Sequence, residues 1–121
     1  MANTFKVVTF AAEPASAGTA YKMYTVAGST TTVVLGLVLT NLNTTSVTAE
    51  VELVSDTGSR GGANNVANGT SFLVKDVNIP AGSSLEVLTG GKVVMETTDI
   101  LKIDCSVADK LSGTLSIMEI T

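Results

Sequence analysis

Apolar side chains recur at every second position over most of this chain. Val33, Leu35, Leu37 and Leu39 fall on one face of residues 30–41. The opposite face of the same segment carries Val34, Gly36, Val38 and Thr40, so the pattern predicts a strand buried on both sides. Residues 46–55 alternate more cleanly, with Val47, Ala49, Val51 and Leu53 inward and Thr48, Glu50 and Glu52 outward. The polar stretch Leu42-Asn43-Thr44-Thr45 between them has hairpin length.

The same period predicts further strands at 19–27, 71–78, 83–88, 92–96, 100–106 and 111–121. Turn signals separate them. Ile79-Pro80-Ala81-Gly82 fits a type I turn, with Pro second and Gly fourth; Thr89-Gly90-Gly91 and Thr97-Thr98-Asp99 mark two more. No helical period of useful length interrupts the series. About eight short strands at this spacing predict an all-β fold, a single antiparallel β-sandwich of jelly-roll or immunoglobulin-like type.

Two segments fall outside the pattern. The small residues Ala11-Ala12-Glu13-Pro14-Ala15-Ser16-Ala17-Gly18, with the ten before them, read as a flexible N-terminal arm over 1–18. Fully extended, it would reach roughly 60 Å. Residues 19–121 form the sandwich domain in this reading. Residues 56–70 read as a Gly- and Asn-rich loop that is long for a hairpin connection, and such loops are usually functional or mobile.

Composition sharpens the class. The 121 residues include 18 Thr and 16 Val, whose β-branched side chains suit a pleated surface. Charged residues make up 15 %, against about 25 % in an average globular domain. The net charge of -4, with seven basic residues, argues against nucleic acid as a partner. The longest apolar stretch, 33–39, is seven residues, far short of the roughly twenty of a membrane helix. The start, Met1-Ala2-Asn3-Thr4-Phe5-Lys6, has no signal-peptide pattern, and synthesis in a cytoplasm is expected.

Candidate chemistry is sparse. His is absent, so no Ser-His-Asp triad, Cys-His dyad or His-liganded zinc can be built. Glu50 and Glu52 share a strand face and could serve as paired carboxylates, though a solvated face explains them more simply. Asp99, Asp104 and Asp109 could offer oxygen ligands to Ca²⁺, but their spacing does not match an EF-hand loop. Cys105, alternating with Leu101 and Ile103, reads as a small core residue with no base to activate it. Neither GxGxxG nor GxxxxGK[ST] occurs. Asn43-Thr44-Thr45 and Asn68-Gly69-Thr70 match the glycosylation acceptor pattern but read as turns, and Arg60-Gly61-Gly62 is a single copy. No catalytic, cofactor-binding or metal site is assigned. Exposed aromatic platforms for a carbohydrate would have to come from Phe5, Phe10, Tyr21, Tyr24 and Phe72, with no Trp.

Four stretches carry a resemblance. They are Met1-Ala2-Asn3-Thr4-Phe5-Lys6, Pro80-Ala81-Gly82-Ser83-Ser84-Leu85-Glu86-Val87, Val93-Val94-Met95-Glu96-Thr97-Thr98-Asp99-Ile100-Leu101-Lys102-Ile103, and Leu115-Ser116-Ile117-Met118-Glu119-Ile120-Thr121. Together they resemble small virion structural proteins of tailed phages, of the type found in phages of marine bacteria and cyanobacteria. The likeness runs loosely from Thr25 to Thr121 and leaves residues 58–69 as an insertion-like loop. It implies a non-enzymatic virion component, foremost a capsid decoration or cement protein made in the host cytoplasm. The implied partners are the major capsid protein or other virion proteins, with no nucleic acid and no membrane. A homo-oligomer, foremost a trimer, is expected because a small monomer buries little on a lattice. A neck, tail or fibre-associated protein is the second expectation, and a carbohydrate-binding sandwich the third.

Overall fold

The computed structural model describes residues 2–55 and 69–121. The described residues form nine strands: β1 (Asn3–Glu13), β2 (Tyr21–Thr25), β3 (Thr31–Asn41), β4 (Val47–Ser55), β5 (Gly69–Ile79), β6 (Ser84–Glu86), β7 (Val93–Met95), β8 (Ile100–Cys105) and β9 (Leu111–Ile120). One sheet runs β1-β9-β3-β6, with β7 also paired to β3; the other runs β2-β8-β4-β5. Every pairing is antiparallel.

The pairs are nested: β1 with β9, β2 with β8, β3 with β6 and β7, β4 with β5. That is one long antiparallel hairpin rolled up on itself, the pairing of a jelly roll. The expected sandwich is therefore present. The inward residues of β3, β4, β8 and β9 form its core, with Leu37, Leu39, Val51, Leu101, Ile103, Leu111 and Leu115 fully shielded from solvent.

Residues 3–13, assigned above to an arm, instead form an outer strand of the five-stranded sheet. β1 pairs with β9 from Asn3 opposite Ile120 to Phe10 opposite Gly113. The ladder continues to the chain ends, where Ala2 and Thr121 exchange both backbone hydrogen bonds at 3.1 and 2.9 Å. The anchor is Phe10, buried and packed edge-on against Tyr21 at 5.4 Å between ring centroids. A Cβ built on Gly113 would fall on the ring carbons of Phe10, so the glycine opens the slot that the ring fills.

Two turns differ in detail from the sequence reading. The Pro80 turn closes one residue later, with Ser83 N donating to Pro80 O at 3.1 Å. Gly82 then takes the third position with φ 69, where a type II turn needs a positive φ. Asn41 is fully buried at the β3–β4 turn. Its Nδ2 donates to Thr45 O and Ile79 O, and its Oδ1 accepts from Asn43 N. The first acceptor-pattern asparagine thus sits in a side-chain-braced turn. The loop at 56–70 lies outside the described residues except for Gly69 and Thr70, which begin β5; Arg60-Gly61-Gly62 and Asn68 fall in the undescribed part.

Candidate interaction surface

Because side chains alternate across a strand, each sheet has one face in the core and one outside. The two outer faces differ sharply. On the four-stranded sheet, Lys22 lies opposite Lys102, Lys102 opposite Glu52, and Glu52 opposite Phe72. Glu50 lies opposite Asp104 in the adjacent row. Lys75 Nζ reaches Glu50 at 2.7 Å and Asp76 at 3.6 Å, and stands 4.8 Å from the Phe72 ring centroid. The hydrogen bond to Glu50 raises the Lys75 ammonium above its usual range, with the nearby Asp76 charge adding to it.

The sequence-derived candidates meet different fates. Glu50 lines a shallow depression of about 190 Å³ with Gly18, Asp76, Asp104 and Ser106. Its partner of the sequence reading, Glu52, is two residues further along the strand and pairs across to Lys102. Asp104 Oδ1 accepts from Gly18 N at 3.2 Å and from Cys105 N at 2.8 Å. Asp99 is buried in the β7–β8 turn, where its Oδ2 accepts from Glu96 N at 3.0 Å. Asp109 sits in the β8–β9 turn with φ 58, its N donating to Pro14 O. The three aspartates are thus spread over separate turns and strand ends. Among the described residues no cluster of His, Cys, Asp and Glu is arranged to hold a metal. Cys105 is a free thiol in the core.

At one end of the sandwich, polar groups link the sheets. Tyr24 Oη donates to Glu119 Oε2 at 2.6 Å and lies 2.7 Å from Thr32 Oγ1. Lys6 Nζ holds the other carboxylate oxygen of Glu119 at 2.6 Å. Burial, then the bond to Glu119, pushes the Tyr24 phenol up to about 12. The bond from Lys6, then that from Tyr24, holds the Glu119 carboxyl below its usual range. The arrangement spends its polar atoms on one another and closes the end of the core.

The outer face of the five-stranded sheet is apolar. Phe5 lies opposite Met118, Met118 opposite Val33, and Val33 opposite Val94, a hydrophobic row crossing four strands. Phe5 is 71 % exposed, Val7 63 % and Val94 59 %. The next rows hold Val7, Ser116 and Gly36, then Thr9, Thr114, Val38 and Glu86. In these rows Glu86, at the β6 margin, is the one charged residue. The expectation that residues 30–41 are buried on both sides fails here: Val38 is exposed and Val33 half-buried, because among the described residues no layer covers that face. Sequence reasoning missed the surface. Its signal was present in the unbroken apolar run of residues 33–39, which the fold satisfies on one side only.

No protein-family model matches the chain, and neither the curated proteins nor the solved structures include a match to it.

Proposed function

We propose that this chain is a non-enzymatic structural protein of a tailed-phage virion that decorates and stabilises the capsid lattice. The observation that carries the proposal is the apolar, nearly uncharged outer face built around Phe5, Met118, Val33 and Val94. A monomeric soluble protein rarely leaves a contiguous face of this kind uncovered, and such patches mark contact surfaces. The segment likeness to phage virion proteins supplies the class of assembly. β1 adds a second means of attachment. It is a long outer strand whose far edge pairs with no other strand among the described residues, and an extended segment of a capsid subunit can add to such an edge.

The use of the candidate catalytic groups supports the same reading. Cys105 is spent on the core, Asp99 and Asp104 on backbone donors, and Glu50 on Lys75. A carbohydrate platform gains nothing from the aromatics: Phe10 is buried, while Phe5 and Phe72 stand on different sheets. Quantitative mass spectrometry of purified particles against the major capsid protein tests the proposal. Hundreds of copies per particle are expected. Six or twelve copies would reassign the chain to the neck, tail or fibre, and its absence from particles would overturn the virion reading.

A further inference from the structure

We infer that the apolar outer face of the five-stranded sheet is the interface between two copies of this chain, packed face to face about a two-fold axis. Residues 33–39 are apolar on both strand faces, a composition found where both faces are buried. The fold buries only one of them: Val34, Leu37 and Leu39 are inside, while Val38 is 37 % exposed. The same mismatch recurs on the flanking strands. Phe10 of β1 and Ile117 of β9 point into the core, while Phe5, Val7 and Met118 point out. Adjoining strands thus share one surplus of apolar side chains on one side. A second sheet packed on it at about 10 Å would satisfy all of them at once.

The occupant is identified by fit. An axis parallel to the strands, passing between β9 and β3, reverses the order of each cross-strand row. Phe5 then lies over Val94 of the partner subunit, and Met118 over Val33 of the partner subunit. Large side chains meet small ones, as interdigitating layers require. Ser116 lies over the partner's Gly36, where the space above the backbone is open. Glu86 lies over the partner's Thr9, so the charge in these rows meets a hydroxyl and not its own copy. A charged partner surface would find little here to pair with, whereas a second copy presents the same uncharged rows.

The area is sufficient. Three long strands, β1, β9 and β3, of about ten residues each at about 3.4 Å, with the short β6 and β7 in line beside β3, all about 4.8 Å apart, present roughly 600 Å² per copy, or roughly 1,200 Å² for the pair. That reaches the lower bound of a standard specific interface. The contact is isologous and closes at two copies. A pair built this way covers the apolar face and leaves the outer edge of β1 in each copy for the capsid; it is a two-fold contact where a trimer was expected, and it stands whether or not the virion proposal does.

Sedimentation equilibrium of the full chain, with a disulfide trap, tests it. The wild-type chain is expected to run at twice 12.3 kDa at micromolar concentration. Phe5→Glu with Val94→Glu should give a monomer with an unchanged far-UV circular dichroism spectrum, since both positions are exposed. In the Phe5→Cys, Val94→Cys double variant the two thiols of one chain are three strand spacings apart, about 14 Å, beyond the reach of a disulfide. Oxidation should therefore give a covalent dimer that a reductant dissolves. A wild-type monomer at 100 µM, a trimer, or a dimer that survives the glutamates would overturn the inference. So would a dimer whose cysteines fail to cross-link.

Discussion

The two sheets of this sandwich both turn one side into the same core, yet the outer side of one is charged and that of the other apolar. On the four-stranded sheet, Lys22, Lys102, Glu52, Glu50 and Lys75 meet water and one another. On the five-stranded sheet, Phe5, Met118, Val33 and Val94 meet water with no charge among them. Folding needs only the inner sides, because those alone bury the core. The outer sides are free to differ, and the contrast is what the proposed contact of the apolar face rests on. The strand edges repeat it. β5, outermost on the charged side, is broken by two register shifts and carries Lys75 and Asp76, devices that discourage further pairing. β1, outermost on the apolar side, keeps an unbroken register from Asn3 to Phe10.

The comparison collapses if β1 is only a loosely attached arm, since Phe5 and Val7 would then not belong to the face. Phe10→Ala decides this with the largest effect expected. Removing a buried aromatic should cost about 3–5 kcal/mol in urea unfolding, whereas an arm would leave stability unchanged. Phe5→Ala on the same strand, measured on the monomeric species, should change stability by less than about 0.5 kcal/mol. Gly113→Ala probes the same joint from β9. The added methyl meets the Phe10 ring, which Tyr21 holds from the other side, so a cost of about 1–3 kcal/mol is expected from overpacking. An unchanged urea midpoint would show that the ring is free to leave its slot.

Much of the fold is legible in the sequence and much of the surface is not, for one physical reason. Alternation is local, so residues 47–53 announce their inward and outward sides without any knowledge of neighbours. Pairing is not local. β1 contains Phe5, Val7, Val8 and Phe10, apolar on both sides and followed by small residues, so no single face stands out. Its partner β9 lies about a hundred residues away, and only the closed ladder shows that Phe10 is in and Phe5 out. The row Phe5, Met118, Val33, Val94 draws on four distant segments and exists only once the sheet is assembled. The candidate acids were visible as residues, but their separation into different turns was not.

Tyr24 offers a finer test, because it ties the apolar-faced sheet to the charged-faced one. Tyr24→Phe leaves the buried Thr32 hydroxyl without this partner and takes one bond from Glu119, at a cost of about 1–2 kcal/mol near neutral pH. The pH dependence carries the signature. The phenol is raised in the folded state from 10.0 to about 12. Its contribution is complete below pH 10 and is lost as pH rises through about 12, because the unfolded chain releases its proton first. Wild-type urea midpoints should therefore fall between pH 10 and 12, and Tyr24→Phe should flatten that fall. Glu119 acts at the other end of the scale: its lowered carboxyl contributes above the unfolded value and is lost on acidification. A variant with the wild-type alkaline slope would show that the hydroxyl does not join the sheets.

The smallest effect is expected where the contacts are most numerous to the eye. Lys75 bridges Glu50 and Asp76 and overhangs Phe72, yet half of its side chain is exposed. Water and salt screen such pairs, and holding a long side chain in one place offsets most of the Coulomb gain. Lys75→Ala should leave the melting temperature within about 1 °C of wild type. Raising NaCl from 50 mM to 1 M should shift neither protein measurably, and the sedimentation mass should not change in either. The reverse result, a large fall in melting temperature or a change of mass on losing Lys75, would mean that the charged face is itself a contact surface. The two faces would then differ in the kind of partner they hold and not in whether they hold one.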